Sequence, residues 1–175
     1  MENDKASTKK IIINYGVILG VLSVLMGVVI YITDGYTEQN WIHTVIGLAI
    51  MLGVIVYGIK AYKTTNGGFL QLSEALKIGL GIALIGGIIS VIWTILLMNV
   101  IEPDIVNQIN EAQREQMIER FPDMSEEQMN QSLEMAKKFT SPYIISAFAL
   151  IWSLFIGFII SLIAGLVMRQ KQDLY

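Results

Sequence analysis

Four stretches of this chain, residues 11–33, 41–59, 78–101 and 143–168, contain no Asp, Glu, Lys or Arg. Together they hold 92 of the 175 residues, so all 27 charged side chains are confined to the other 83. A helix rises about 1.5 Å per residue, and roughly 20 apolar residues cross the hydrocarbon of a bilayer. Each window reaches or approaches that length. An open strand in lipid would leave its backbone groups without partners, so helix is the required conformation despite the abundant Ile and Val. The three prolines, Pro103, Pro122 and Pro142, all fall between the third and fourth windows. The pattern excludes a soluble globular domain, a disordered chain and an outer-membrane barrel with its short alternating strands. It predicts an all-α polytopic membrane protein, one membrane domain over residues 1–175 with four transmembrane helices.

The first window follows Lys9 and Lys10, as a secretory signal would, but its apolar run of 23 residues is longer than the 7–15 of a signal and ends in Tyr31-Ile32-Thr33-Asp34 rather than a small-residue cleavage site. It reads as an anchor. Orientation follows from the flanks. Lys5, Lys9, Lys10, Lys60, Lys63, Lys77, Arg169 and Lys171 share one side, whose net charge is +4; the other side sums to −7. Both termini are therefore expected in the cytoplasm. Tyr15, Tyr57 and Tyr62 are expected at the inner interface, and Tyr31, Trp41 and Tyr143 at the outer one.

Helices in lipid associate through close packing and a few polar contacts, because the tails are as apolar as leucine. The fourth window carries Ala149, Ser153, Gly157, Ser161 and Gly165 at successive four-residue steps, and the third carries Gly79, Ala83 and Gly87 in the same register. The two stripes predict that the fourth span packs on the third. A homo-oligomer interface is the alternative use of the same residues. Trp93 and Trp152 fall at similar depths, either stacked together or facing lipid.

Residues 102–142 form the one long polar segment, with nine of the fifteen acids. Pro103 and Asp104 suit a helix start, and Ile105, Ile109 and Ala112 recur at helical spacing. Phe121-Pro122-Asp123-Met124 breaks the run, and Ser125-Glu126-Glu127-Gln128 reads as a capping box. Met129, Leu133, Ala136 and Phe139 mark one face of a second helix. The expectation is an extracytoplasmic helical hairpin, standing off the membrane or lying on it. Its stripes are free to pack arm to arm, on the membrane, or on a partner, for which Ile105, Ile109, Met129, Leu133 and Phe139 are the candidate contacts. Its acidity favours a protein partner with basic patches over an anionic surface. Met117, Met124, Met129 and Met135 read as helix-face packing rather than a copper site.

Catalytic chemistry is hard to place. With no cysteine and one histidine, thiolate sites, disulfides and multi-His metal centres are excluded. Asp34, Glu38 and His43 surround the short loop, but their spacing matches no zinc or acid–base pattern and reads as a solvated loop. Asn66-Gly67-Gly68 is a turn signal, since no Gly-Lys-Ser/Thr follows. Ser73, Glu74 and Lys77 resemble a helix entry. Polar groups inside the spans are limited to residues such as Asn14, Ser23, Thr44, Ser90, Thr94, Asn99, Ser146, Ser153 and Ser161; no ionisable residue suggests a coupled transporter. No cofactor, metal or catalytic residue is expected, and scattered Lys and Arg give no nucleic-acid surface.

Several of these pieces together, Gly67-Gly68-Phe69, Ser73-Glu74-Ala75-Leu76-Lys77-Ile78-Gly79, Ile101-Glu102-Pro103-Asp104, Met124-Ser125-Glu126-Glu127 and Phe139-Thr140-Ser141-Pro142, resemble the bacterial membrane proteins of domain-of-unknown-function family 4199. The resemblance covers nearly the full length. Where that family opens its third span with an aromatic-Gly-x-Ala-Phe-Lys pattern, this chain has Leu72-Ser73-Glu74-Ala75-Leu76-Lys77, matching at the alanine and lysine. The resemblance implies four helices in a bacterial inner membrane and carries over no catalytic residue. The expected role is a non-enzymatic interaction or structural component, with lipid around it and either a second copy or a membrane or periplasmic protein as partner. The alternative is a small transport or channel component working as an oligomer.

Overall fold

The computed structural model describes residues 8–36 and 41–170. Six helices follow in order: α1 (Thr8–Ile32), α2 (Trp41–Thr65), α3 (Leu72–Leu96), α4 (Ile105–Arg120), α5 (Glu126–Phe139) and α6 (Pro142–Met168), with a π-helical turn, Leu97–Ile101, continuing α3. No strand forms among the described residues. α1, α2, α3 with its π-turn, and α6 are long and apolar enough to cross a membrane.

The spans run past the charge-free windows. α2 continues to Thr65 through Lys60 and Lys63, and α3 starts at Leu72 rather than at Ile78. Helical hydrogen bonding need not stop where charge begins, because a lysine stem lies along the helix while its ammonium reaches the polar interface. The entry to α3 lies at Gln71, two residues before Ser73. Glu74 explains this: its Oε2 accepts the Gln71 backbone N–H at 2.8 Å, fixing Gln71 as the cap three residues upstream. The other Glu74 oxygen accepts from the Tyr62 hydroxyl at 2.7 Å, and Tyr62 is buried within the bundle near the end of α2. Between α2 and α3, Gly67 and Gly68 both take positive φ, and Asn66 Nδ2 donates to the Phe69 carbonyl. Leu70 then exchanges two 2.9 Å backbone hydrogen bonds with Gln170, fastening the end of α6 to the start of α3.

α3 is the central helix, packed against α1 on one side and α6 on the other. On the α6 side, Gly157 faces Ala83, Ser161 faces Gly79 and Gly165 faces Ala75 and Leu72. The Ser153 hydroxyl donates to the Ala83 carbonyl at 3.3 Å. Ser161 donates to its own helix at Gly157, which lets a hydroxyl be fully buried in an apolar seam. Gly87 meets Leu150, and Ala149, at the far end of the stripe, is exposed. On the other side Gly16 and Gly20 of α1 receive Ile85 and Ile89. Small residues thus bring both neighbours close to α3, which supplies the dispersion contacts that lipid cannot replace.

α2 is attached differently. All of its buried residues, Val54, Ile55, Gly58, Ile59 and Tyr62, lie in its second half. Its first half, from Trp41 to Leu52, contributes nothing fully buried. A Cβ built on Gly47 would meet no atom within 4 Å, whereas one built on Gly58 would stand 2.5 Å from Ile82. α2 therefore clamps to the bundle at one end and stands away from it at the other.

Candidate functional site

Between α3 and α6 the chain leaves the bundle through the π-turn. Leu97 and Met98 are buried there, and Ile105 packs on them with 3% of its surface exposed; Ile109, Val106 and Trp93 complete this cluster. Ile105 and Ile109, expected as partner contacts, are thus occupied within the chain. Asp104 binds the Asn107 side chain at 2.7 Å as α4 opens. At the start of α5 the Ser125 hydroxyl accepts the Gln128 N–H while Gln128 Oε1 accepts the Ser125 N–H, both at 3.3 Å. α4 and α5 touch only sparsely. The gap between them, about 650 Å³, is lined mainly by polar side chains including Asn107, Glu111, Arg114, Asn130 and Lys137. Some apolar side chains toward the end of α4 and along α5 are left exposed. Phe121 is 54% exposed, Phe139 57% and Met135 63%; Met129 and Leu133 are half-buried.

The loop after α1 separates two residues of the Asp34, Glu38, His43 set. Asp34 takes a left-handed backbone, φ 53°, and lines a cavity of about 290 Å³ with Tyr31, Tyr36, Glu102, Ile105 and Gln108. There the Tyr31 hydroxyl donates to Glu102 Oε2 at 3.3 Å. His43 lies instead against Gly35 and faces a different cavity. Glu38 falls outside the described residues. Among the described residues no three His, Cys, Asp or Glu side chains converge as a metal site would require.

The cavity that His43 enters results from the stand-off of α2. It has two lobes, of about 240 and 280 Å³, that share Ser23 of α1, Gly47 of α2, and Ser90 and Thr94 of α3. One lobe adds Gly27, Tyr36, His43 and Trp93. The other extends past Leu19, Met51 and Ile156 to the exposed Leu48, Ala149 and Trp152. Thr94 donates to its own helix at Ser90, and the Tyr36 hydroxyl reaches the Gly27 carbonyl at 3.5 Å. The Trp93 Nε1–H is buried beside Gly27, in the neighbourhood of the Tyr36 hydroxyl. Burial pushes the Tyr36 phenol above the ordinary tyrosine range, with the neighbouring Trp93 indole pulling partly the other way. Trp93 and Trp152 are not stacked together; the latter, 61% exposed, tilts against Phe155 with ring centres 5.7 Å apart.

The family described as "Protein of unknown function (DUF4199)" matches residues 14–170. The chain belongs to that family. Comparison with curated proteins and with solved structures gives no match. Family DUF4199 membership thus identifies the kind of chain and transfers no activity. The matched region contains all four apolar helices nearly whole, α4 and α5, and every residue of the cleft beneath α2. That cleft escaped the sequence reading. Ser23, Thr44, Ser90, Thr94 and Ser153 are each visible as hydroxyls within spans, but nothing local reveals that four helices aim them at one space.

Proposed function

We propose that this protein is a non-enzymatic component of the bacterial inner membrane. Both termini lie in the cytoplasm, and α4 and α5 form an acidic extracytoplasmic hairpin that engages a protein partner. The observation that carries this reading is the exposure of Phe121, Met135 and Phe139 on helices that lie outside the spans. Exposed apolar side chains on the spans are expected, since lipid covers them. On α4 and α5 a partner serves that purpose, and exposed aromatic groups are the typical anchors of an interface. Beside them in the sequence stand Glu119, Asp123, Glu126, Glu127 and Glu134 against Arg120, Lys137 and Lys138, a net acidic surrounding, so the partner surface is apolar at its centre and net basic at its rim. The partner is a membrane or periplasmic protein, with a second copy of the chain as the self-associating case.

The test is affinity recovery from native membranes with the triple variant Phe121→Ser, Met135→Ser, Phe139→Ser. These residues are exposed, so the bundle and its insertion are expected to persist while a specific partner is lost at least tenfold. Undiminished recovery would exclude the hairpin as the contact surface. A second reading, a small transport or channel component working as an oligomer, draws support from the hydroxyl-lined cleft beneath α2 and predicts solute flux in proteoliposomes.

A further inference from the structure

The cleft beneath α2 has features that together specify a ligand. It lies in the half of the bundle nearest the π-turn, where α2 buries nothing. Every other span glycine except Gly53 receives a neighbouring side chain, yet Gly47 sits between the two lobes with open space before it. A glycine costs a helix interior about 1 kcal/mol relative to alanine, and here no part of the described chain uses the room it leaves. The Ser23 and Ser90 hydroxyls that face this space donate to no described residue, in surroundings where an unsatisfied polar group is costly. No Asp, Glu, Lys or Arg lines either lobe. The polar residues Tyr36, His43 and Thr94 lie toward the end of the spans, and Leu19, Met51 and Ile156 lie toward the middle of the bundle. The lining is thus polar near the span ends and mostly apolar inward, with Ser23, Ser90 and Ser153 as hydroxyls at mid-depth.

We propose that this cleft binds a neutral single-chain lipid. A hydroxyl or ester carbonyl of its head accepts hydrogen bonds from Ser23 and Ser90, and its chain runs past Met51 toward the exposed Leu48 and Trp152. The lack of a cation disfavours carboxylate and phosphate heads, which would lose hydration without gaining a counter-charge. Each lobe, about 240–280 Å³, has room for one chain rather than two. This site is independent of the α4–α5 surface, and neither proposal depends on the other.

The experiment uses the full chain in phosphatidylcholine nanodiscs and a monoacylglycerol carrying a diazirine on its acyl chain. Photolabelling is expected to saturate and to map by peptide mass spectrometry to α2 near Gly47 and Met51 and to α3 near Ser90. Unlabelled monooleoylglycerol is expected to compete at least tenfold better than oleate or lysophosphatidylcholine. The Gly47→Leu variant places a side chain in open space, so circular dichroism should show an intact fold while labelling drops at least tenfold. Ser23→Ala with Ser90→Ala should erase the preference over oleate while keeping the chain site. Labelling that does not saturate, that is unchanged in Gly47→Leu, or that spreads over lipid-facing Val21 and Leu84 would overturn the proposal. Equal competition by oleate would overturn the neutral head. A disulfide-linked dimer through Gly47→Cys would give the space to a second copy and overturn it too.

Discussion

Gly157 of α6 stands so close to α3 that a Cβ built on it would come within 2.6 Å of the Ala83 Cβ. Real Cβ atoms do not approach that closely, so the seam accepts no side chain here without moving a helix. Gly157→Ala is expected to cost about 1–3 kcal/mol, the usual range for forcing atoms into a packed site. Gly53→Ala, where no atom lies within 4 Å, should be neutral or slightly stabilising through helix propensity. Reversible unfolding in mixed micelles, followed by circular dichroism, compares the two.

Glu74 joins the adjoining ends of α2 and α3, accepting from the Tyr62 hydroxyl and from the Gln71 backbone. Hydrogen bonds to a charged acceptor contribute roughly 1.5–3 kcal/mol when intact. Glu74→Ala should therefore lower stability by about 1–3 kcal/mol, and Glu74→Gln by less, since the amide oxygen still accepts one of the two. A Tyr62→Phe, Glu74→Ala double-mutant cycle isolates the side-chain pair, with non-additivity the expected result.

Tyr36 gives a pH dependence with a definite sign. Burial favours its neutral phenol, so its folded pKa lies above the unfolded value near 10. The corresponding stabilisation is complete below that value and is lost as pH rises through the folded pKa. Unfolding measured from pH 8 to 12 should show an alkaline loss that is smaller in Tyr36→Phe than in the parent, while the two behave alike near neutrality.

The absence of cysteine makes topology directly readable. A single Cys at exposed Gln131 of α5 is expected to react with a membrane-impermeant maleimide in intact cells with a permeabilised outer envelope. A single Cys at exposed Thr64 of α2 should react only after the inner membrane is broken. The reverse pattern would invert the proposed orientation.

The four long apolar helices were legible because absence of charge is a local property that survives any packing. The α5 cap was equally legible, since Ser125 and Gln128 find each other within one turn. The same locality explains the failures. The apolar stripe at Ile105 and Ile109 reads alike whether it meets a partner or the chain itself, and only the π-turn brings it onto Leu97 and Met98. The charge-free windows stop nearly two turns short of the end of α2 and the start of α3, because charge marks only the end of the hydrocarbon; the helix-entry signal at Ser73, Glu74 and Lys77 placed the start of α3 within two residues. The cleft depends on how far α2 leans from its neighbours, and no residue of α2 states that angle.

The π-turn at Leu97–Ile101 also acts as a phase setter between the membrane part and the polar part of the chain. Its wide Leu97-to-Glu102 hydrogen bond, 2.8 Å, accommodates one residue more than an α-helical turn would. Each residue of an α-helix advances about 100° around its axis. Deleting a single residue there would restore regular spacing and rotate everything downstream by that angle, carrying Glu102 away from Tyr31 and Ile105 away from Met98. The bundle would keep its sequence and its spans, yet the outer helices would face a different compass direction.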